Sequence, residues 1–165
     1  MSAYRRTMMH AIVTGTIDNG ADTAPGKTTF EVGATVTKGW QSTMMWDADD
    51  PRLDGELTLV GNTVEYEDGR VSVSTMTRVL VNDLGRWEGT DTGVHVRGMA
   101  THFIVVQGED AHEWLTAVLV EDWYTPGFYG AIVPIDRVPA FPEPAVPRYL
   151  CAAGTDIGLP PPHTV

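Results

Sequence analysis

Between Asp50 and Ile135 the chain is a succession of Val- and Thr-rich runs of about 8 to 14 residues, broken by Gly, Asn and Asp. β-branched side chains suit a pleated, half-buried surface, and the interrupting residues suit tight turns. No window of helical length carries a convincing apolar stripe at a 3.6-residue period. The expected fold class is therefore all-β, an antiparallel meander. About eight strands must bury one face and hide their edges, and closure into a single eight-stranded, up-and-down barrel does both.

Taken in order, residues 7 to 17 form a candidate first strand that enters a loop at Asp18-Asn19-Gly20, and residues 21 to 27 read as a connection. Phe30, Val32, Ala34 and Val36 alternate with polar neighbours, which predicts a half-buried strand over 28–38. Trp40 to Trp46 holds two Trp and two Met, and an acidic turn follows at Asp47 to Pro51. Further strands are predicted over 56–66, 70–81, 86–92, 94–107, 115–124 and 128–135, with a hairpin turn at Asn82-Asp83-Leu84-Gly85. The barrel domain is expected to occupy 1–136. Eight of the eleven prolines lie in residues 134–165, and proline cannot donate to an interior ladder. The segment 137–165 is thus expected as a proline-rich extended tail, draped over the barrel or disordered, with Phe141, Tyr149 and Leu150 as anchors.

A chain of 165 residues can bury a core without staples, and one cysteine, Cys151, rules out an internal disulfide. The net charge of −11 repels phosphate backbones and anionic membrane surfaces, so neither nucleic acid nor membrane is expected as a partner. The apolar run after Arg5-Arg6 is short and lacks a small-residue cleavage site, and no segment approaches the roughly 20 apolar residues that span a bilayer. Cytoplasmic location is the resulting expectation. The five His residues and Cys151 show no metal-ligand spacing, and Asp47 to Asp50 lacks the glycine and distal Glu of a calcium loop. Nucleophile elbows and phosphate-binding glycine loops are absent from the sequence, so no cofactor is expected, and hydrolases, kinases and nucleotide-dependent redox enzymes are set aside.

Three markers stand out. They are Asp50-Pro51-Arg52 with Gly55, Asn82-Asp83 with Gly85 and Trp87-Glu88-Gly89-Thr90, and Gly108 with Glu113, Leu115 and Thr116. In this order they resemble the bacterial branch of the allene oxide cyclase-like barrel family, over residues 50–135. That family carries patterns near D-P-R-x-x-G, N-D-x-G-x-W-E-G-T and G-x-G-x-Y-E-G-L-T. Two departures are His112 where Tyr is usual and Trp114 where Gly is usual, the latter expected to reshape one end of the barrel. The resemblance implies an eight-stranded barrel whose lumen takes a hydrophobic ligand, as in relatives that include spirotetronate-type polyketide cyclases. Association through an outer barrel face, common in the family, extends the implication to a homodimer. The motifs themselves are turn and packing signals.

Laying the family's Gly-Leu-Thr segment on Trp114-Leu115-Thr116 turns Leu115, Ala117, Leu119, Glu121 and Trp123 inward. The same superposition turns Thr75, Thr77, His95, Met99, Thr101 and Phe103 inward, with Trp40 closing one mouth. The implied substrate-binding residues are Trp40, His95, Met99, Phe103 and Trp123, a lining suited to an apolar, flexible guest. Glu121 is the candidate proton donor, and Thr75 or Tyr124 the hydrogen bond that polarises an acceptor. Each has a plainer reading: Trp123 and Phe103 as packing, Glu121 as a solvated strand residue, His95 and His102 as surface or satisfied histidines. The function implied is a cofactor-free cyclase or isomerase that folds a polyketide-like or polyene chain into its reactive shape. Such preorientation can supply roughly 7–11 kcal/mol of a barrier. The alternatives are a barrel that binds a hydrophobic small molecule without turnover, and a solid barrel with a structural role.

Overall fold

The computed structural model describes residues 11–18, 20–66, 69–97, 99–122 and 127–135. Its elements are β1 (Ala11–Asp18), β2 (Asp22–Ala24), β3 (Lys27–Glu31), β4 (Ala34–Ala48), β5 (Gly55–Tyr66), β6 (Val71–Asn82), β7 (Gly85–Val96), β8 (Met99–Glu109), a 3-10 turn (Asp110–His112), β9 (Leu115–Asp122) and β10 (Gly127–Pro134). From β4 to β10 each strand pairs antiparallel with the next. β1 closes the ring by pairing β10 on one side and the last residues of β4 on the other. The sheet is thus a ring of eight antiparallel strands. Closure removes the exposed edges that a meander of this length would otherwise carry.

The stretch 28–38 differs from its single-strand expectation. It is a hairpin, β3 paired with the start of β4 around Val32-Gly33, and Gly33 takes the positive φ of 81° that the turn requires. β3 is exposed along its whole length, so the alternation of Phe30 and Val32 did not mark a buried face. Trp40 to Trp46, read separately in the sequence, continues β4. That strand serves two sets of partners because its register shifts between Lys38 and Trp40, with Gly39 at φ 69°. Its first part carries β3 outside the ring, and its last four residues, Met45–Ala48, close it against β1.

Period-two burial lines the barrel interior. Val13, Trp46, Leu57, Leu59, Leu80, Trp87, Ile104, Val106, Leu119 and Ile132 are among the inward residues of a continuous apolar core. Each such side chain removed from water contributes about 1.5–3 kcal/mol. The three sequence markers meet at one end of this barrel. Leu53, fully buried, plugs it, and the Trp87 indole donates to the Arg52 carbonyl at 2.7 Å. Asn82 donates its amide to the carbonyl of Asp54 at 2.7 Å, and Asp50 holds Arg52 in an ion pair at 2.6 Å. The His112 ring stacks on Trp87, centroids 5.1 Å apart. Trp114 does not reshape the lumen: it stands 62% exposed in the turn before β9. The proline-rich tail 137–165 and the first ten residues lie outside the described residues.

Candidate functional site

The opposite end of the barrel has a different chemistry. Several inward positions there are small or polar: Ser42 on β4, Ser74 on β6, Ala100 on β8. Below them, between this polar end and the apolar plug, lies a cluster of four charged or titratable side chains, all essentially without solvent contact: Arg78 on β6, Asp91 on β7, His102 on β8 and Glu121 on β9. Arg78 extends its guanidinium into the interior. Its Nε donates to Asp91 Oδ2 and its Nη1 to Glu121 Oε2. The other Asp91 oxygen meets His102 Nδ1 at 3.1 Å. The Arg78 guanidinium lies over the Trp46 ring, 5.7 Å from its centroid, and Trp46 packs on Phe128 at 4.7 Å.

Local sequence makes this arrangement fit. Arg78 stands directly across from Gly89, and Asp91 is two residues further along the same face of β7, a diagonal cross-strand placement. His102 faces Gly93 across the β7–β8 pair. A Cβ on Gly93 would lie 2.2 Å from His102 Cε1, so the glycine supplies the space for the ring. Gly61 does the same for Trp40, whose indole lies over it and donates to Thr63 at 3.0 Å.

Solvent reaches inward as far as Trp40 and His95, both partly buried. His95 lies edge-on to His102 at 5.1 Å and its Nε2 is 3.4 Å from Ser74 Oγ. Burial holds the His95 imidazole below its ordinary value of 6.5, helped by the neighbouring His102 and opposed by Asp91. At the plugged end, burial likewise lowers His112, with the Arg52 guanidinium adding to the effect and Asp50 opposing it. Asp50 is lowered chiefly by its hydrogen bond to Arg52, against the cost of burial.

The inward face expected for β9 is present: Leu115, Ala117, Leu119 and Glu121 all point into the core, and Glu121 is fully buried. His95 and Trp40 lie at the polar end, on the inward faces of β7 and β4. Other placements are corrected. Thr75 and Thr77 are exposed on the outside of β6, while Ser74, Met76, Arg78 and Leu80 point in. On β8, Met99, Thr101 and Phe103 face out, Met99 at 53% and Phe103 at 60% exposure, and Ala100, His102, Ile104 and Val106 face in. A one-residue offset in a strand exchanges its two faces, so the superposition failed on β6 and β8 as whole strands. Thr75 therefore offers no hydroxyl to the interior. Together with Thr77, Thr90, Thr92, Val60 and Asn62 it lines a shallow outer concavity of about 350 Å³. Trp123 and Tyr124 lie outside the described residues.

Arg78 and Asp91 are site residues that the sequence does not single out, and His102 is read there only as a surface or satisfied histidine. The available signal was an Arg and an Asp at the centres of neighbouring hairpin strands, flanked at i±2 by Met76, Leu80, Gly89 and Gly93. Among the described residues, no group of three or more His, Cys, Asp or Glu side chains is disposed to hold a metal ion. No described helix is long and apolar enough to cross a membrane. Comparison of the chain with protein-family models, with curated proteins and with solved structures gives no match.

Chemically, the cluster combines a fixed cation, two carboxylates and an oriented imidazole inside an apolar enclosure. Asp91 orients the His102 ring through its contact at Nδ1. Electrostatic effects are strong in such a setting because little water screens them.

Proposed function

We propose that the protein is a cofactor-free cyclase or isomerase acting on an apolar, polyketide-like or polyene substrate, in the manner of the allene oxide cyclase-like barrels its three motifs resemble. The observation that carries this reading is the fully buried Arg78–Asp91–His102–Glu121 cluster beside an otherwise apolar core. Burying charges costs several kcal/mol per ion before pairing offsets it, and a Leu and Met filling of this volume would be as stable or more so. Perturbing environments of this kind concentrate at functional sites. In the proposed reaction the apolar wall folds the substrate, Arg78 polarises a substrate oxygen, and His102 or Glu121 moves the proton. A substrate enters past Trp40 and His95. A [4+2]-type closure needs little beyond such preorientation and one polarising contact.

Purified protein is incubated with linear diene–dienophile and isomerisable polyene substrates, and products are followed by chromatography. Acceleration over buffer is expected, with His102→Gln and Glu121→Gln each lowering kcat by about 10²- to 10⁴-fold, the usual contribution of a positioned acid or base. No acceleration across the panel, or full activity in both variants, would refute the reading.

The pairing of both carboxylates with one guanidinium favours a second reading, a barrel that binds a hydrophobic small molecule without turnover, since both carboxylates are already engaged by Arg78. Recovery of a co-purified guest unchanged would support it. The homodimer belongs to the proposal too. Tyr129, Val120 and Phe103 are aligned across β10, β9 and β8 on the outer face, with Ile12 exposed on β1. Sedimentation of a single monomeric species at micromolar concentration would remove it.

A further inference from the structure

Among the described residues, three buried polar atoms of this cluster have no hydrogen-bond partner: Arg78 Nη2, Glu121 Oε1 and Trp46 Nε1. They belong to one neighbourhood. Arg78 Nη1 is bonded to Glu121 Oε2, so Nη2 and Oε1 are the remaining halves of that pair, and the Trp46 ring lies under the same guanidinium. Leaving a buried donor or acceptor unpaired costs about 1–3 kcal/mol each, more for charged groups. A carboxylate and a guanidinium that pair fully would engage both oxygens with two parallel N–H groups. Here one bond is made and the other two atoms are left over, as an acceptor and a donor, with a second donor on Trp46.

From this geometry we infer that the barrel interior binds a small molecule through a neutral head group that both accepts and donates a hydrogen bond: a carboxamide, a lactam, or an enol conjugated to a carbonyl. The inference deepens the proposed function and rests on its reading of the interior as the binding site. The guest's oxygen takes the N–H groups of Arg78 and Trp46, and its N–H or O–H goes to Glu121 Oε1. Charge decides against an anion. Two carboxylates already face the single guanidinium, so a carboxylate guest would bring a third anion to one fixed cation. An ester or ketone supplies an acceptor only and leaves Glu121 Oε1 unpaired. Discrimination by a buried, unpaired polar atom is strong because the wrong guest leaves the desolvation cost standing.

The test uses the full chain and three probes of equal size: hexanamide, heptan-2-one and hexanoate at pH 7.5. Binding is read from the indole N–H resonance of Trp46 in ¹⁵N spectra, assigned with Trp46→Phe. Hexanamide is expected to bind about tenfold more tightly than either of the others, with a downfield shift of the Trp46 signal, the scale of one or two hydrogen bonds made inside the barrel. A dry, non-selective cavity would rank them the other way, since an amide is costlier to desolvate than a ketone. In Arg78→Met/Glu121→Met, which removes the donor and acceptor together, the preference should reverse in favour of heptan-2-one. Equal or tighter binding of heptan-2-one or hexanoate to the natural chain overturns the inference, as does an unmoved Trp46 signal with all three at millimolar concentration. None of the probes can cyclise, so turnover does not enter. Hexanamide selectivity without catalysis would leave the inference standing and remove the enzyme, and catalysis without selectivity would do the opposite.

Discussion

Replacing Arg78 by Met is the sharpest test of how the interior is held together. Met keeps an apolar stem but not the guanidinium, so the substitution removes the cation that Asp91 and Glu121 both face. Asp91 keeps its contact with His102 at 3.1 Å. Among the described residues Glu121 then has no hydrogen-bond partner, and it is left as a carboxylate with no solvent exposure. Removing one member of a buried ion pair costs about 3–5 kcal/mol, because an uncompensated charge stays behind. Domains of this size have about 5–15 kcal/mol in total, so the variant should be close to unfolding. The double variant Arg78→Met/Glu121→Met removes both charges of one pair and fills the space with apolar atoms. It should recover at least about 2 kcal/mol over the single variant, a non-additivity expected of directly coupled residues. Urea unfolding at pH 7.5, followed by tryptophan fluorescence and far-ultraviolet circular dichroism, measures both. An Arg78→Met protein within about 1 kcal/mol of the natural chain, or a double variant weaker than the single one, would refute the claim that this guanidinium is the buried counterion.

Three other outcomes follow from the geometry. Gly93→Ala places a methyl 2.2 Å from the His102 ring, which must rotate away; the cost should be about 1–3 kcal/mol, and the His102 contact to Asp91 should vanish from ¹⁵N imidazole spectra, whereas an unaltered spectrum would mean the ring is not confined there. Leu53→Ala should cost about 2–5 kcal/mol in urea unfolding with guest binding unchanged, and a loss of binding would show the two barrel ends to be coupled. His95 and His112 both have lowered values in the folded chain, so below an unfolded value of about 6.5 the unfolded state takes up protons first. Their contribution is present above that value and lost as pH falls through the lowered folded values. The slope of stability against pH below 6.5 should therefore be shallower in His112→Phe, and an identical slope would contradict the lowering.

The sequence made the sheet legible because alternation and turn chemistry are local. Asn82-Asp83-Leu84-Gly85 turns where expected, and the odd face of β9 faces inward down to Glu121. What it hid is the inward face of β6 and β8. On β6 the outer residues Thr75, Thr77, Val79 and Val81 look like the ones to bury, and the inner set contains an Arg. On β8 both faces carry large apolar groups, Met99, Phe103 and Val105 outside against Ile104 and Val106 inside, with His102 among the inner ones. A buried ionic cluster inverts the usual rule that the more polar face is wet. Its logic is non-local: Arg78 inside is acceptable only because Asp91 and Glu121, two strands apart in the ring, arrive beside it.

The two ends of the barrel divide the work that one sequence has to do. All three sequence motifs converge on the plugged end, where Asp50 pairs Arg52, Asn82 and Trp87 donate to backbone carbonyls, His112 stacks on Trp87 and Leu53 seals the core. Those residues specify turns and closure, and a chain could keep them while changing every group that touches a guest. The charged cluster lies further along the strands, on side chains drawn from four of them, and none of its members belongs to a motif. The motifs therefore shape the container, and the chemistry must be argued from Arg78, Asp91, His102 and Glu121 themselves. If the two ends are independent, stability and guest selectivity should vary separately across variants at each end, because substitutions well separated and sharing no partner add without coupling.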